Sequence, residues 1–295
     1  RIFRIWGPYA AALALAVAGN VYLSTGGLPE ANRWFNSTWL LPVHPEDVLA
    51  HLTLVGVFDD KLFNTAFWSL IHEMRVSLFY PLLVVALRRL PPASLWLLPA
   101  PVLCLGVALS DHNPAGRWWE SLEVLGIFLA GAALARNRES LTTWFRQLST
   151  PRRAALLAAA FALYTFGWAW NLPAYVLHLS SGFRDLFICA GAVGIVFTAL
   201  AWPPAHSLLD LRPARWLGKV SYSLYLTHAT VLFALVYLGR PLFWLYLAAA
   251  LLTAALFAEL IELPALRLGR RLTLPNPQEL PPPEPHRAPD QQRHQ

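Results

Sequence analysis

The sequence predicts an all-α, polytopic membrane protein, a helical bundle with about eight transmembrane helices. Hydrophobic residues make up 56% of the 295 residues and charged residues only 14%, a composition too apolar for a soluble domain. The apolar residues also come in blocks close to the roughly 20 residues that a helix needs to cross a bilayer. Eight such blocks are present, at 5–24, 66–87, 93–110, 120–135, 154–170, 184–201, 217–238 and 242–262.

Basic residues between the blocks predict the orientation of the bundle. If the first residues are cytoplasmic, the inner loops hold most of the Lys and Arg residues. The outer loops then hold only Arg33, Lys61, Arg117, Arg184 and Arg240. This positive-inside bias predicts a multi-pass protein with a cytoplasmic C-terminus, as in a bacterial inner (plasma) membrane. It also explains the net charge of +6 without a nucleic-acid partner.

The apolar run at 48–58, VLAHLTLVGVF, is too short to cross a bilayer. A crossing here would also invert every later loop, so we interpret the run as re-entrant or interfacial. It belongs to a long outer loop, 25–65, which suits a lid or a platform for an acceptor molecule. The Pro-rich, polar segment 272–295 predicts a disordered cytoplasmic tail after a membrane core at 1–271.

The second apolar block carries three ionisable residues, His72, Glu73 and Arg75. Each charge buried in a membrane costs roughly 2.5–3.5 kcal/mol on insertion scales, so such groups usually face a polar interior. Four-residue spacing places Ser69, Glu73 and Ser77 on one face of the helix. Arg75 points away from Glu73 and needs a partner on another helix. The candidates, which the sequence alone does not rank, are Glu120, Glu123, Glu259 and Glu262. The alternative is a packing network that only joins helices.

Another polar face lies on the block 217–238. Ser221, Tyr225 and His228 share that face, and His228 lies roughly 18 Å in from Trp216 at 1.5 Å per residue, near the middle of a bilayer. An imidazole there is expected to be neutral and able to orient a substrate or a second catalytic group. The alternative is a histidine that only hydrogen-bonds within the bundle.

Metal and disulfide chemistry are not indicated by the sequence. The run HEMR lacks the second histidine of an H-E-x-x-H zinc motif. The two cysteines, Cys104 and Cys189, both lie inside apolar blocks, where we expect them to pack as small apolar residues.

Three separated motifs stand out: RIFRIWGPY at 1–9, WSLIHE at 68–73 and GKVSYSLYLTH at 218–228. In this order they resemble Arg-x-x-Arg-Ile-x-Pro-x-Tyr, Trp-Ser-Leu-x-x-Glu and Gly-x-x-Ser-Tyr-x-Leu-Tyr-Leu-x-His of the acyltransferase 3 family of integral-membrane acyltransferases. The first has one extra residue before its proline. Glu262-Leu-Pro264 is a weaker match to the Glu-x-Pro of the family's last helix. Val76-Ser77 replaces a Phe-Tyr pair common in the family and leaves substrate choice open.

The resemblance implies an O-acyltransferase that moves an acyl group, such as acetyl, to a hydroxyl of an acceptor such as a cell-surface or exported glycan. The donor is cytoplasmic acyl-coenzyme A, and no bound cofactor is implied. We expect the catalytic residues to be Glu73, His228 and His72. We expect the substrate-binding residues to be Arg1, Arg4, Trp68, Ser69, Arg75, Ser77, Tyr222 and Tyr225. Arg1 and Arg4 suit the donor's phosphates, because guanidinium groups bind phosphate bidentately. The alternative for this pair is a role as topology anchors.

The family's first helix carries an Arg or Lys ten residues before a proposed catalytic His, and this sequence has no match to it. We therefore expect two helices before Arg1, about ten helices in the complete protein, and no transfer by this chain alone. Two other classes remain as alternatives: a non-catalytic transporter of a lipid or small solute, and a scaffold without activity. No internal repeat favours the transporter.

Overall fold

A computed structural model describes residues 2–56, 58–59, 61–112, 118–169 and 181–273, and these residues form helices and connecting loops without strands. Most of the predicted tail therefore lies outside the described residues, as does Arg1. The all-α prediction is confirmed for the described part of the chain. All eight predicted apolar blocks fall on helices.

The long helices lie on the predicted blocks, but several begin or end some residues away from them, and the helix of the block 120–135 continues to Gln147. They are α1 (Ile2–Leu23), α4 (Trp68–Arg88), α5 (Pro99–His112), α6 (Trp118–Gln147), α7 (Thr150–Ala169), α8 (Ser181–Ala201), α10 (Arg212–Tyr237) and α11 (Phe243–Phe257). Shorter elements are α2 (Arg33–Asn36), α3 (Pro45–Thr53), a 3₁₀ turn (Ala93–Leu97), α9 (Pro203–Leu209), a π-helical turn (Ala258–Glu262) and α12 (Leu263–Thr273). By length and hydropathy, seven helical segments within the described residues can cross a membrane. The block at 154–170 forms α7 but is not among these seven.

The helices pack as two groups. On one side α5 packs on α6, α7 packs on α8, and α6 also contacts α8. Glycine makes the first two contacts close: a Cβ at Gly106 would lie 2.3 Å from the backbone nitrogen of Glu123, and one at Gly191 would lie 2.4 Å from that of Tyr164. On the other side α1 packs on α10 and α12, and α10 packs on α11. Helix α4 packs on α6 and is joined to α10 by the hydrogen bond between the Ser69 and Tyr225 side chains.

The predicted outer loop folds back into the bundle. Its helix α3 has nine residues, about 14 Å at 1.5 Å per residue, too short to cross a membrane. Two donors on α1 hold it: the Tyr9 hydroxyl donates to the His51 carbonyl at 3.1 Å, and the Trp6 indole N–H donates to the Leu52 carbonyl at 2.7 Å. Leu54 then ends α3 in a left-handed conformation and is fully buried. This agrees with the interpretation of 48–58 as a segment that does not cross.

The last part of the same loop is anchored on α10. Asn64 is fully buried, and its side-chain amide donates to the Leu226 carbonyl at 3.0 Å and to the Thr230 hydroxyl at 3.1 Å. Its side-chain oxygen accepts from the Ala66 amide at 2.8 Å. Phe67, the residue before α4, packs edge-on against Tyr9 with ring centroids 4.7 Å apart. The loop therefore sets the position at which α4 begins.

Candidate active site

The polar residues of four elements meet around the Tyr222 hydroxyl. Tyr222, on α10, donates to the Ile5 carbonyl of α1 at 3.2 Å. The same hydroxyl interacts electrostatically with Glu73 of α4, Glu262 of the π turn and Arg4 of α1. Two carboxylates and one guanidinium thus lie near enough to a single phenol for their charges to act on it. Residues from the predicted motifs at 1–9, 68–73 and 218–228 come together here.

Glu73 is one of two half-buried carboxylates in this cluster, together with Glu262. It interacts electrostatically with the hydroxyls of Tyr222 and Tyr225, and within the described residues it makes neither a hydrogen bond nor an ion pair. A carboxylate in an apolar setting is costly without a proton or a partner. Glu73 is therefore chemically available, unlike a carboxylate already bound in an ion pair.

Ser69 and Tyr225 link the first turn of α4 to α10. The Tyr225 hydroxyl donates to the Ala66 carbonyl, and the Ser69 hydroxyl lies 2.6 Å from the Tyr225 oxygen. Because the single Tyr225 proton is used toward the carbonyl, Ser69 is the donor to Tyr225. These two hydrogen bonds hold the face of α4 that carries Ser69 against the tyrosines of α10. Glu73 lies on the same face, one turn later.

His228 lies one turn beyond Tyr225 on α10, and the two ring centroids are 6.3 Å apart. Its Nδ1 is 2.9 Å from the Tyr225 carbonyl and 3.1 Å from the Leu224 carbonyl. Carbonyl oxygens only accept, so this hydrogen-bond network assigns the proton to Nδ1. In the neutral ring, Nε2 then carries the free electron pair and can accept a proton.

His72 lies on a different face of α4, toward α6, and is almost fully buried. Its Nδ1 is 2.9 Å from the Ser121 hydroxyl. Its Nε2 is 3.1 Å from the Glu120 carboxylate but lacks the alignment of a hydrogen bond. The indole of Trp68, which is 43% exposed, packs edge-on against the His72 ring with centroids 6.0 Å apart. His72 thus adjoins Glu73 in sequence but contacts another helix.

Arg75 is 4% exposed and binds two other elements. Its Nε donates to the Val55 carbonyl at 3.1 Å, and Nη2 donates to the Gly56 carbonyl. Its Nη1 donates to the Ser121 hydroxyl at 3.1 Å, and the guanidinium lies 4.1 Å from the centre of the Trp118 ring. On another helix, Arg75 therefore contacts Ser121 and Trp118 of α6, which were not among the carboxylate partners expected from the sequence, and it also binds backbone carbonyls of the outer loop.

The predicted site residues accordingly fall into two sets. The cluster around Tyr222 contains Arg4, Ser69, Glu73, Tyr222 and Tyr225, with His228 beside it. The set toward α6 contains Trp68, His72 and Arg75. Ser77 is buried on α4, and the prediction for Arg1 lies outside the described residues.

Glu262 also belongs to the cluster, although the spacing of residues along single helices did not predict it. Its carboxylate accepts from the Ser223 hydroxyl at 2.5 Å. Pro264 lacks the N–H of an α-helical hydrogen bond, and the helix takes π geometry over Ala258–Glu262 just before it. The signal in the sequence was the weak match at Glu262-Leu-Pro264.

Comparison with known proteins gives one match. The acyltransferase 3 family model, described as an acyltransferase domain, matches residues 1–262 and so covers both groups of helices except α12, and all the site residues named above. No curated protein and no solved structure matches the chain.

Proposed function

The chain belongs to the acyltransferase 3 family and is a membrane acyltransferase, and we propose that it transfers an acyl group from acyl-coenzyme A to a hydroxyl of a cell-surface or exported glycan. The observation that carries the proposal is the convergence of Glu73, Tyr222 and Tyr225, contributed by two of the matched motifs, on one polar cluster inside apolar helices. Intramembrane ionisable groups of this kind mark functional sites.

The proposed reaction is an exchange of a thioester for an ester. The acceptor oxygen forms a bond to the acyl carbon, the carbon–sulfur bond breaks, and the hydroxyl proton ends on the coenzyme A thiol. Such a step needs a base for the hydroxyl proton and donors for the developing oxyanion. We assign proton transfer to Glu73 and to His228 Nε2. Ser69 and Tyr225, whose protons are donated to Tyr225 and to the Ala66 carbonyl, are proposed to hold α4 on α10 beside the bound substrate.

The donor is proposed to bind at the beginning of α1. Arg4 is exposed there and interacts with Tyr222, so a phosphate on Arg4 would lie next to the cluster. Arg1 is proposed to bind the same phosphates through its place in the matched motif. A guanidinium offers a fork of donors that fits phosphate geometry.

The remaining predicted residues are proposed to shape the part of the site that receives the acceptor molecule. His72 is proposed to fix α4 so that the neighbouring Glu73 keeps its orientation, since His72 contacts Ser121 and Glu120 on α6. Trp68, Arg75 and Ser77 are proposed to line or support the acceptor path. The outer loop would bring the acceptor to the first turn of α4.

The test is Glu73→Gln in the protein expressed from its complete gene, because glutamine keeps the shape of the side chain and removes its acid–base chemistry. We expect transfer from labelled acetyl-coenzyme A to fall at least tenfold, about 1.4 kcal/mol in the barrier. Glu139→Gln, an exposed carboxylate on α6, is the matched control and should leave transfer unchanged.

Near-normal turnover by a well-inserted Glu73→Gln protein would show that the carboxylate has no chemical role. Membrane insertion is measured in parallel. If Glu73→Gln fails to insert, Glu73→Asp keeps the charge and separates folding from catalysis. Facilitated movement of the acceptor without acyl transfer would favour the transporter alternative.

A further inference from the structure

A serine, a histidine and a carboxylate lie in a row between α4 and α6. The Ser121 hydroxyl of α6 is 2.9 Å from Nδ1 of His72 on α4, and Nε2 of the same ring is 3.1 Å from the Glu120 carboxylate. The Nε2 contact is short but not aligned, as is common for catalytic hydrogen bonds before a substrate binds. A hydroxyl, an imidazole and a carboxylate in this order form the row of a nucleophile, its base and the group that orients the base.

The neighbours of His72 and Ser121 assign the protons of this row. A carboxylate beside Nε2 of the neutral ring favours the tautomer that carries its proton there, so Nδ1 of His72 has the free electron pair. The Arg75 guanidinium can only donate, and its Nη1 donates to the Ser121 oxygen at 3.1 Å. The single proton of Ser121 is therefore directed to Nδ1 of His72. An imidazole placed in this way can take the proton of an attacking hydroxyl.

Arg75 also places a positive charge beside the oxygen of Ser121. As this hydroxyl loses its proton, negative charge develops on an oxygen that already accepts a hydrogen bond from a guanidinium. Hydrogen bonds between ionised groups are about twice as strong as neutral ones, so the contact favours the ionised serine. Arg75 keeps its bonds to the Val55 and Gly56 carbonyls during this change, and no buried acceptor loses its donor.

Ser121 lines a cavity of about 350 Å³ between α4 and α6, and this cavity is apolar apart from Ser121 and Arg75. Phe79, Leu83 and Leu125 form its walls farther along the two helices. From Arg75 to Leu83 the rise along α4 is about 12 Å at 1.5 Å per residue, and both residues lie within the membrane-spanning part of the helix. The cavity therefore fits an apolar acyl chain whose carbonyl carbon lies at Ser121.

We propose that Ser121 is a nucleophile that takes an acyl group from an ester or thioester and holds it as a serine ester. The Ser121 oxygen forms a bond to the acyl carbon, the bond from that carbon to the leaving oxygen or sulfur breaks, and the serine proton passes through His72 to the leaving group. Water or another hydroxyl compound then forms a bond to the acyl carbon, and its proton returns to Ser121 through His72. This site lies on a different face of α4 from Glu73 and does not depend on the proposed function.

The test is covalent labelling of the purified full chain in detergent micelles with a fluorophosphonate, which reacts with activated serines. Mass spectrometry of the intact protein counts the labels, and peptide mapping locates them. We expect a single label, on Ser121, and none in Ser121→Ala. Ser140→Ala removes an exposed serine of the same helix and is the matched control, which should label as the unchanged chain does.

Variants of the base and of its carboxylate test the row itself. His72→Gln should slow the labelling of Ser121 at least tenfold, because it removes the group that takes the proton. Glu120→Gln should slow it several-fold, and Glu120→Asp, which keeps the charge, should restore part of the rate. Glu139→Gln, an exposed carboxylate on the same helix, should leave the rate unchanged.

Acyl transfer to Ser121 is measured with p-nitrophenyl butyrate and butyryl-coenzyme A in parallel, which distinguishes an ester source from a thioester source. A butyryl group on Ser121 from either compound supports the proposal, and its absence with both overturns it. A fluorophosphonate label spread over exposed serines, or equal labelling rates in His72→Gln and the unchanged chain, would also overturn it. If the variants aggregate, mapping on the unchanged chain decides, because a label absent from Ser121 overturns the proposal without any substitution. None of these measurements uses transfer to a glycan, so failure of the proposed function would be seen separately.

Discussion

Replacing Asn64 by Ala should loosen the attachment of the outer loop to α10. The substitution removes two hydrogen bonds donated to Leu226 and Thr230, and it removes the acceptor of the Ala66 amide. Asn64 is fully buried, so water cannot replace these partners. Because the Ala66 carbonyl also accepts from Tyr225, the disturbance reaches the candidate site.

The expected loss follows from the number of bonds. Side-chain hydrogen bonds inside membrane proteins average about 0.6 kcal/mol, so three contribute roughly 2 kcal/mol. A buried N–H left without an acceptor costs about 1–3 kcal/mol more. We therefore expect Asn64→Ala to lower the free energy of unfolding by about 3–5 kcal/mol.

The assay is unfolding of the purified chain in mixed micelles with increasing sodium dodecyl sulfate, followed by circular dichroism. Asn137→Ala is the matched control, since Asn137 also donates two hydrogen bonds, to the Pro92 and Ala133 carbonyls, but is only partly buried. We expect less than about 1 kcal/mol there. Equal losses in the two variants would refute the argument that Asn64 anchors the loop.

Two further predictions concern the loop and the donor. Burial lowers the pKa of His51 below its ordinary 6.5, so the unfolded chain binds the proton first as pH falls, and stability should decline from about pH 6.5 down through the folded pKa. The unfolding midpoints measured at pH 7.5 and at pH 5 should therefore differ less in His51→Asn than in the unchanged protein. An unchanged difference would mean that other groups cause the pH dependence. Arg1→Gln/Arg4→Gln, in the protein from its complete gene, should weaken acyl-coenzyme A binding at least tenfold in a direct titration. Unaltered affinity for the donor would mean that both arginines only set the orientation of α1 in the membrane.

The bilayer explains why the spans could be predicted and why helix ends could not. Hydropathy reports which residues lie in the hydrocarbon, and that length is set by the membrane. Helix α6 continues to Gln147, although its apolar block ends at 135, because a helix does not stop where charged residues begin. Arg136, Arg138 and Glu139 simply continue the same helix outside the apolar block.

Spacing along one helix predicted neighbours but not partners. The four-residue rule placed Ser69 and Glu73 on one face, and the structure has both near the tyrosines of α10. It also turned Arg75 away from Glu73. The acceptors of Arg75, the carbonyls of Val55 and Gly56, could not be read from the sequence, because no residue type marks a carbonyl as available.

The fully engaged guanidinium of Arg75 bears on how Glu73 can act. An anion binding Arg75 would have to displace the Val55 and Gly56 carbonyls or the Ser121 hydroxyl, and each buried acceptor left without its donor costs about 1–3 kcal/mol. Arg75 is therefore better suited to fixing the outer loop against α4 and α6 than to releasing its contacts for a substrate. A helix held this firmly on one face can keep Glu73, on another face, in place without bonding it, and the carboxylate retains its capacity to take a proton.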